Sequence, residues 1–153
     1  MAIPQDLTNN NNNPEGLALL VACKDLDLNK PDHYSPLLCA VVNDAVECVQ
    51  LLVSDPRVDP NIGPIWGCDN ERTQTPLMYA VKTSNEAEVL LPLLLANPRV
   101  SLNMIDHNDF GSTPLMRAVK ENQREVVEML LADARIDLST RDTYERRDED
   151  LAR

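Results

Sequence analysis

Aromatic side chains are almost missing from this chain: of 153 residues, one is Trp, one Phe and three Tyr. Hydrophobic residues still make up 43%, so Leu, Val, Ala and Met must fill whatever interior forms. Basic residues are also short, 14 Lys and Arg against 25 Asp and Glu, for a formal net charge of -11. Such a polyanion repels phosphate backbones, which argues against nucleic-acid binding. The acidity has two readings: it keeps the chain soluble, or it speeds encounter with a basic partner surface. No apolar stretch reaches the ~20 residues of a membrane span. The start, Met1-Ala2-Ile3-Pro4-Gln5-Asp6, lacks a basic or apolar leader. That predicts an intracellular protein, cytoplasmic or nuclear, whose delivery into another cell would need a route other than a Sec-type signal. The cysteines Cys23, Cys39, Cys48 and Cys68 form no CxxC pair, in keeping with a reducing compartment.

What the chain does have is repetition. Ser/Thr-Pro-Leu occurs at Ser35-Pro36-Leu37, Thr75-Pro76-Leu77 and Thr113-Pro114-Leu115, at spacings of 40 and 38 residues. Ala-Val follows each copy, at Ala40-Val41, Ala80-Val81 and Ala118-Val119, and a leucine-rich run comes later. Self-similarity at such a period predicts stacked supersecondary units rather than one globular core. Within a copy, Thr113 suits a helix cap and Pro114 the first helical position. Leu115, Ala118 and Val119 then fall three and four apart on one helical face. Asn122 tolerates the left-handed conformation of a helix exit. Val126, Val127, Met129, Leu130 and Leu131 form the buried stripe of a second helix. The same grammar predicts first helices over Ser35–Asn43 and Thr75–Thr83, and second helices over Val46–Val53 and Glu86–Ala96. The exits align too: Asp55-Pro56-Arg57-Val58, Asn97-Pro98-Arg99-Val100 and Ala134-Arg135-Ile136.

Thr-Pro-Leu-x-x-Ala, a two-helix hairpin ending in Leu-Leu, and an Asp-x-Asn extended turn together resemble the ankyrin repeat. The resemblance runs from about Pro14 to Arg153. It implies an all-α solenoid of helix-turn-helix units joined by extended hairpin loops, with about three full repeats and half-repeats at the ends. The expected layout is an Asn-rich disordered lead-in at 1–13 and one repeat domain at 14–153. Within that domain, 14–32 is a capping half-repeat, and 33–66, 67–107 (a long loop preceding its helices) and 108–140 are repeats. Residues 141–153 form a polar closing cap or a frayed tail.

Three departures from the family pattern stand out. Only Gly111 fills the turn position before a Thr-Pro-Leu, with His33, Thr73 and Glu145 in the other copies. Asp44, Ser84 and Asn122 replace the glycine between helices. Pro92 falls inside a second helix, where proline costs ~3 kcal/mol or a bend. The stretch from Asn61 to Thr75 should form an extended finger carrying Ile65 and Trp66. Trp66 either packs on a neighbouring finger or serves as a binding anchor.

Signatures of chemistry are few. There is no phosphate loop, no nucleophile elbow and no HExxH. His33 and His107 lie about two repeats apart, roughly 20 Å if each repeat adds one ~10 Å helix layer, too far to share a zinc ion. His33 with Cys68 supplies two ligands, too few for a stable site. The carboxylates around Asp106, Asn108 and Asp109 read as solvated surface. Neither a metal nor a cofactor is therefore expected, and no enzymatic role.

The resemblance implies a protein-binding module, expected to be a monomer, that grips its partner with the concave first-helix side and the loop tips. On this chain the outward positions map to Leu38, Cys39, Val42, Met78, Tyr79, Lys82, Met116, Arg117 and Lys120, with Met78 and Met116 alternatively packing between repeats. The tips offer Tyr34, Ile65, Trp66, Phe110 and Tyr144. Variants of this function are an acidic mask for a basic partner, a host-targeting effector, or the targeting domain of a larger enzyme. The resemblance also marks Asn61 and Asn103 as positions open to asparagine hydroxylation.

Overall fold

The computed structural model describes residues 13–23, 26–29, 34–64, 74–83 and 86–140. Seven α-helices occur among them: α1 Pro14–Val21, α2 Pro36–Val42, α3 Val46–Ser54, α4 Pro76–Thr83, α5 Ala87–Leu95, α6 Pro114–Lys120 and α7 Arg124–Leu131. The first helices form one row, α2 against α4 and α4 against α6. The second helices form the other, with α1, α3, α5 and α7 in sequence. Helix α1 stacks in the second-helix row, so among the described residues the stack begins with a helix of that row.

Each first helix starts on a buried hydroxyl. Ser35, Thr75 and Thr113 accept from the amides of Leu38, Met78 and Met116 at 3.2, 3.3 and 3.1 Å. These caps satisfy orphan amides in helices of only two turns, which propensity alone would not hold in water. The hydroxyl of Ser35 also donates to the Ile62 carbonyl at 3.1 Å, tying its cap to the next loop. The exits of α2 and α6 turn through left-handed residues, Asp44 at φ 53° and Asn122 at φ 54°. In both, a six-to-one bond closes the end: Ala45 N to Ala40 O and Gln123 N to Ala118 O, each 2.9 Å. Asp and Asn thus fill the turn that glycine would otherwise take, at a modest left-handed cost.

The two rows bury one ribbon of aliphatic side chains. Leu37, Ala40 and Val41 continue into Leu77, Ala80 and Val81, then Leu115 and Ala118, against Val49, Leu52, Leu90, Leu94, Val126 and Leu130. Leu77, Leu115 and Leu130 are buried at 2% exposure or less, as the repeat reading requires. Leu131 departs from the expected stripe: it is 52% exposed, because Val126 and Leu130, four apart, already fill the inward face of α7. Helix α5 runs unbroken through Pro92, whose ring is exposed. The ~3 kcal/mol of an interior proline is offset by Leu90, Leu91 and Leu94 on the same helix, each worth about 1.5–3 kcal/mol when buried. At the base of the 61–75 insertion, a Cβ on Gly63 would meet the Gln74 carbonyl oxygen at 2.3 Å, so the two arms close there only with glycine. Ile65, Trp66 and the rest of that tip lie outside the described residues, as do His33, Thr73, Ser84, Tyr144, Glu145, the Asn-rich lead-in and the segment 141–153.

Candidate functional site

A helix of two turns with neighbours on three sides leaves only a narrow free strip. Helix α4 packs against α2, α5 and α6, and that packing decides which expected site residues can reach a partner. Leu38, Met78 and Met116 do not: they are 0%, 6% and 0% exposed, and so is Cys39 nearly, at 3%. This corrects the outward placement read from the sequence and fits the inter-repeat packing alternative for the two methionines. Leu38, Met78 and Met116 each sit one step (about 100°) past the core leucine, and that flank is covered as well. The free strip lies further round. Tyr79 and Arg117 are half-buried at its edge, while Lys82 and Lys120 are exposed. Tyr34 is half-buried and meets Tyr79 edge-to-face, with centroids 6.1 Å apart and planes at 70°. Such a pair fixes two amphipathic rings beside the strip.

Above it stands a rigid tip. Asp106 pairs with Ser112 in an antiparallel bridge. Between them run a 3-10 turn, His107–Asp109, and two left-handed residues, Phe110 at φ 53° and Gly111 at φ 73°. A non-glycine residue at such a φ needs surrounding restraint. Asp106 supplies it: its Oδ1 accepts from Asn108 N at 2.9 Å and its Oδ2 from Gln74 Nε2 at 2.6 Å, while its carbonyl accepts from Gly111 N at 2.9 Å. Arg117 reaches Asp109 at 2.7 Å and Asp106 at 3.7 Å. Lys120 donates to Ser112 Oγ at 2.5 Å and lies 3.7 Å from Asp109. The expected solvated acids are therefore structural: Asp106 is 3% exposed and braces the loop. The result is a Phe110 that is 54% exposed on a turn braced by hydrogen bonds on both sides.

The strongest pattern between units was not anticipated. Asn29, Asn61 and Asn103 each bridge to the following exit loop. Asn29 donates to Arg57 O at 2.7 Å and accepts from Asp59 N at 2.6 Å. Asn61 does the same with Arg99 O and Ser101 N, and Asn103 with Arg135 O and Asp137 N, all at 2.8 Å. The two asparagines expected as modification positions thus hold the stack together through both ends of their carboxamides. Arg57, Arg99 and Arg135 send the return bonds to carbonyls of the preceding unit, Arg57 to Val21 and Cys23, Arg99 to Asp55, Pro56 and Val58, Arg135 to Leu95, Asn97 and Val100. The signal was present: Arg stands at one place in all three exits.

The same arginines set a pH limit. The Arg135 side-chain and backbone donors beside Asp133 hold its carboxyl down to about 2. Arg57 likewise lowers Asp55. A depressed carboxyl stabilises the fold above its unfolded value of ~3.9 and loses that contribution as pH falls toward the folded one. Melting temperature is therefore expected to fall between about pH 4 and pH 2. Asp133→Asn should flatten part of that slope while lowering the melting temperature at pH 7. An unchanged slope in the variant would refute the assignment.

No group of three or more His, Cys, Asp or Glu able to hold a metal ion occurs among the described residues. No described helix is long and apolar enough to cross a membrane. Of the cysteines, Cys39 and Cys48 are buried and Cys23 is exposed, and burial raises the Cys48 thiol.

The model for ankyrin repeats (3 copies) matches residues 62–142, and the single ankyrin repeat model matches 32–63. The chain belongs to the ankyrin-repeat family. Comparison with curated proteins gave no match. Ankyrin repeats are generally protein–protein interaction modules and typically carry no catalysis of their own. In this ankyrin-repeat protein, of the residues expected to face a partner, Tyr34, Tyr79 and Arg117 are half-buried and Lys82, Phe110 and Lys120 are exposed.

Proposed function

We propose that this protein acts without chemistry of its own, binding a partner protein across the first-helix strip with Phe110 as the central anchor. The observation that supports this reading is the exposed Phe110 ring on a braced left-handed turn. An aromatic side chain whose backbone is already ordered loses little entropy on binding, and aromatic anchors dominate interface energetics. Tyr34 and Tyr79 extend the apolar contact, and Lys82, Arg117 and Lys120 supply its polar rim. Arg117 and Lys120 are balanced by Asp106 and Asp109, so the strip is close to neutral although the chain is acidic. Specificity there comes from shape and aromatic contact more than from net charge.

Affinity capture from a cell extract with quantitative mass spectrometry tests the reading. Phe110→Ala is expected to reduce recovery of the partner by about 30-fold, as a hot spot of ~2 kcal/mol requires. Its melting temperature should stay near that of the parent, since the ring is largely in water. Recovery unchanged in Phe110→Ala, Tyr79→Ala and Lys82→Ala alike would place the partner on another face.

A further inference from the structure

Three arginines in one register allow the molecule to be compared with itself. Arg57 gives its Nε and Nη2 edge to Asp55, at 3.1 and 2.7 Å. Arg135 gives the same edge to Asp133, at 2.9 and 2.5 Å. Arg99 occupies the equivalent place, but the residue two before it is Asn97. The Asn97 carboxamide is committed elsewhere: it accepts from Arg99 N at 2.9 Å and donates to Val53 O at 2.8 Å. The Arg99 guanidinium is nonetheless fixed, with Nη1 donating to Pro56 O at 3.0 Å and Val58 O at 2.8 Å, and Nη2 to Asp55 O at 3.2 Å. Its Nε–H and second Nη2–H have no acceptor among the described residues. In both sister units that parallel pair of donors holds a carboxylate.

Arg99 and Asn97 line an open groove of about 460 Å³ between the C-terminal ends of α3 and α5. Val53, Pro56, Leu93 and Pro98 give it apolar walls. We propose that this groove docks an acidic side chain, Glu or Asp, of a partner polypeptide, with an adjoining apolar residue against Leu93 and Pro56. A guanidinium fork matches a carboxylate through two parallel bonds, which adds geometric selection to the charge. Here the fork is already positioned by three carbonyls, so binding need not order a long side chain. The apolar walls favour a carboxylate carried on a peptide over a free small acid. The overall charge of -11 does not oppose this strongly, because exposed charges beyond ~8 Å are screened at physiological salt. Asp55, whose carbonyl Arg99 reaches, already has its carboxylate paired with Arg57 at 2.7 Å. The groove lies on the second-helix side and is separate from the Phe110 strip.

The test is an NMR titration of the ¹⁵N-labelled chain with the peptide acetyl-Leu-Glu-Leu-amide, its Gln counterpart, and sodium acetate. Saturable shifts are expected at the Arg99 Nε–H and the Ser54 and Ala96 amides with the Glu peptide, and at least tenfold weaker binding with the Gln peptide. Asn97→Asp supplies the internal carboxylate that Asp55 and Asp133 supply in the other units, so it should fold and bind the Glu peptide at least tenfold more weakly. Arg99→Lys, which keeps the charge and loses the fork, should weaken it similarly. Equal binding of Glu and Gln peptides, full binding by Asn97→Asp, or no saturable shift up to about 10 mM peptide would overturn the proposal. Acetate binding as tightly as the peptide would reveal an adventitious anion site only, and would also overturn it. Resonances of Tyr79 and Phe110 should stay in place throughout, so failure here leaves the strip reading to its own experiment.

Discussion

Leu90→Ala is expected to lower the unfolding free energy by about 2–5 kcal/mol. Leu90 is fully buried at the centre of α5, which packs on α3, α4 and α7. Truncation there opens a cavity shared by three helix contacts. In a stacked array, stability is close to a sum of unit terms and neighbour interfaces, so damage to a middle unit weakens both sides at once. Folded domains hold only ~5–15 kcal/mol in total, which makes this one change a large fraction of the whole. The urea midpoint followed by circular dichroism reads the effect. Val89→Ala is the control, since Val89 is 45% exposed on the same turn and should shift stability by less than about 0.5 kcal/mol. Equal shifts in the two variants would contradict the burial pattern of α5.

Arg135→Gln is expected to cost about 1.5–3 kcal/mol, the range for hydrogen bonds made by charged groups. The Arg135 guanidinium ties α7's exit loop to Leu95, Asn97 and Val100 of the preceding unit, at 2.8, 3.2 and 3.3 Å, and holds Asp133 on its remaining edge. Arg135→Lys should recover little, because one ammonium cannot span three carbonyls and a carboxylate. Arg124→Gln provides the contrast. Its bond to Glu128 is as short, 2.8 Å, but both side chains stand in water, 82% and 63% exposed. Its loss should leave the urea midpoint essentially where it is, since a water-exposed pair contributes little. A Lys variant as stable as the parent would show that charge alone, and not the fork, links the units.

The expectations that held were those carried by short-range chemistry. Ser35, Thr75 and Thr113 as caps, Asn122 as the left-handed exit, and the Leu77, Leu115 and Leu130 core all depend on neighbours within a few residues in sequence. The burial of Leu38, Met78 and Met116 could not be read that way. Their spacing fits the helix surface equally well whether the flank one step past the core is wet or covered. The acids at Asp106 and Asp109 misled for the same reason, since their partners Gln74 and Arg117 come from different loops and helices.

The order of residues by itself fixed a stack of paired helices, because caps, helix periodicity and breakers act over distances of three or four residues. Only the tertiary structure decided which side chains stay exposed, which asparagines and arginines lace the units together, and that two Arg99 donors lack an acceptor among the described residues. Those properties depend on groups 28 to 44 positions away in the chain, and a contact of that range is set by how one unit seats on the next.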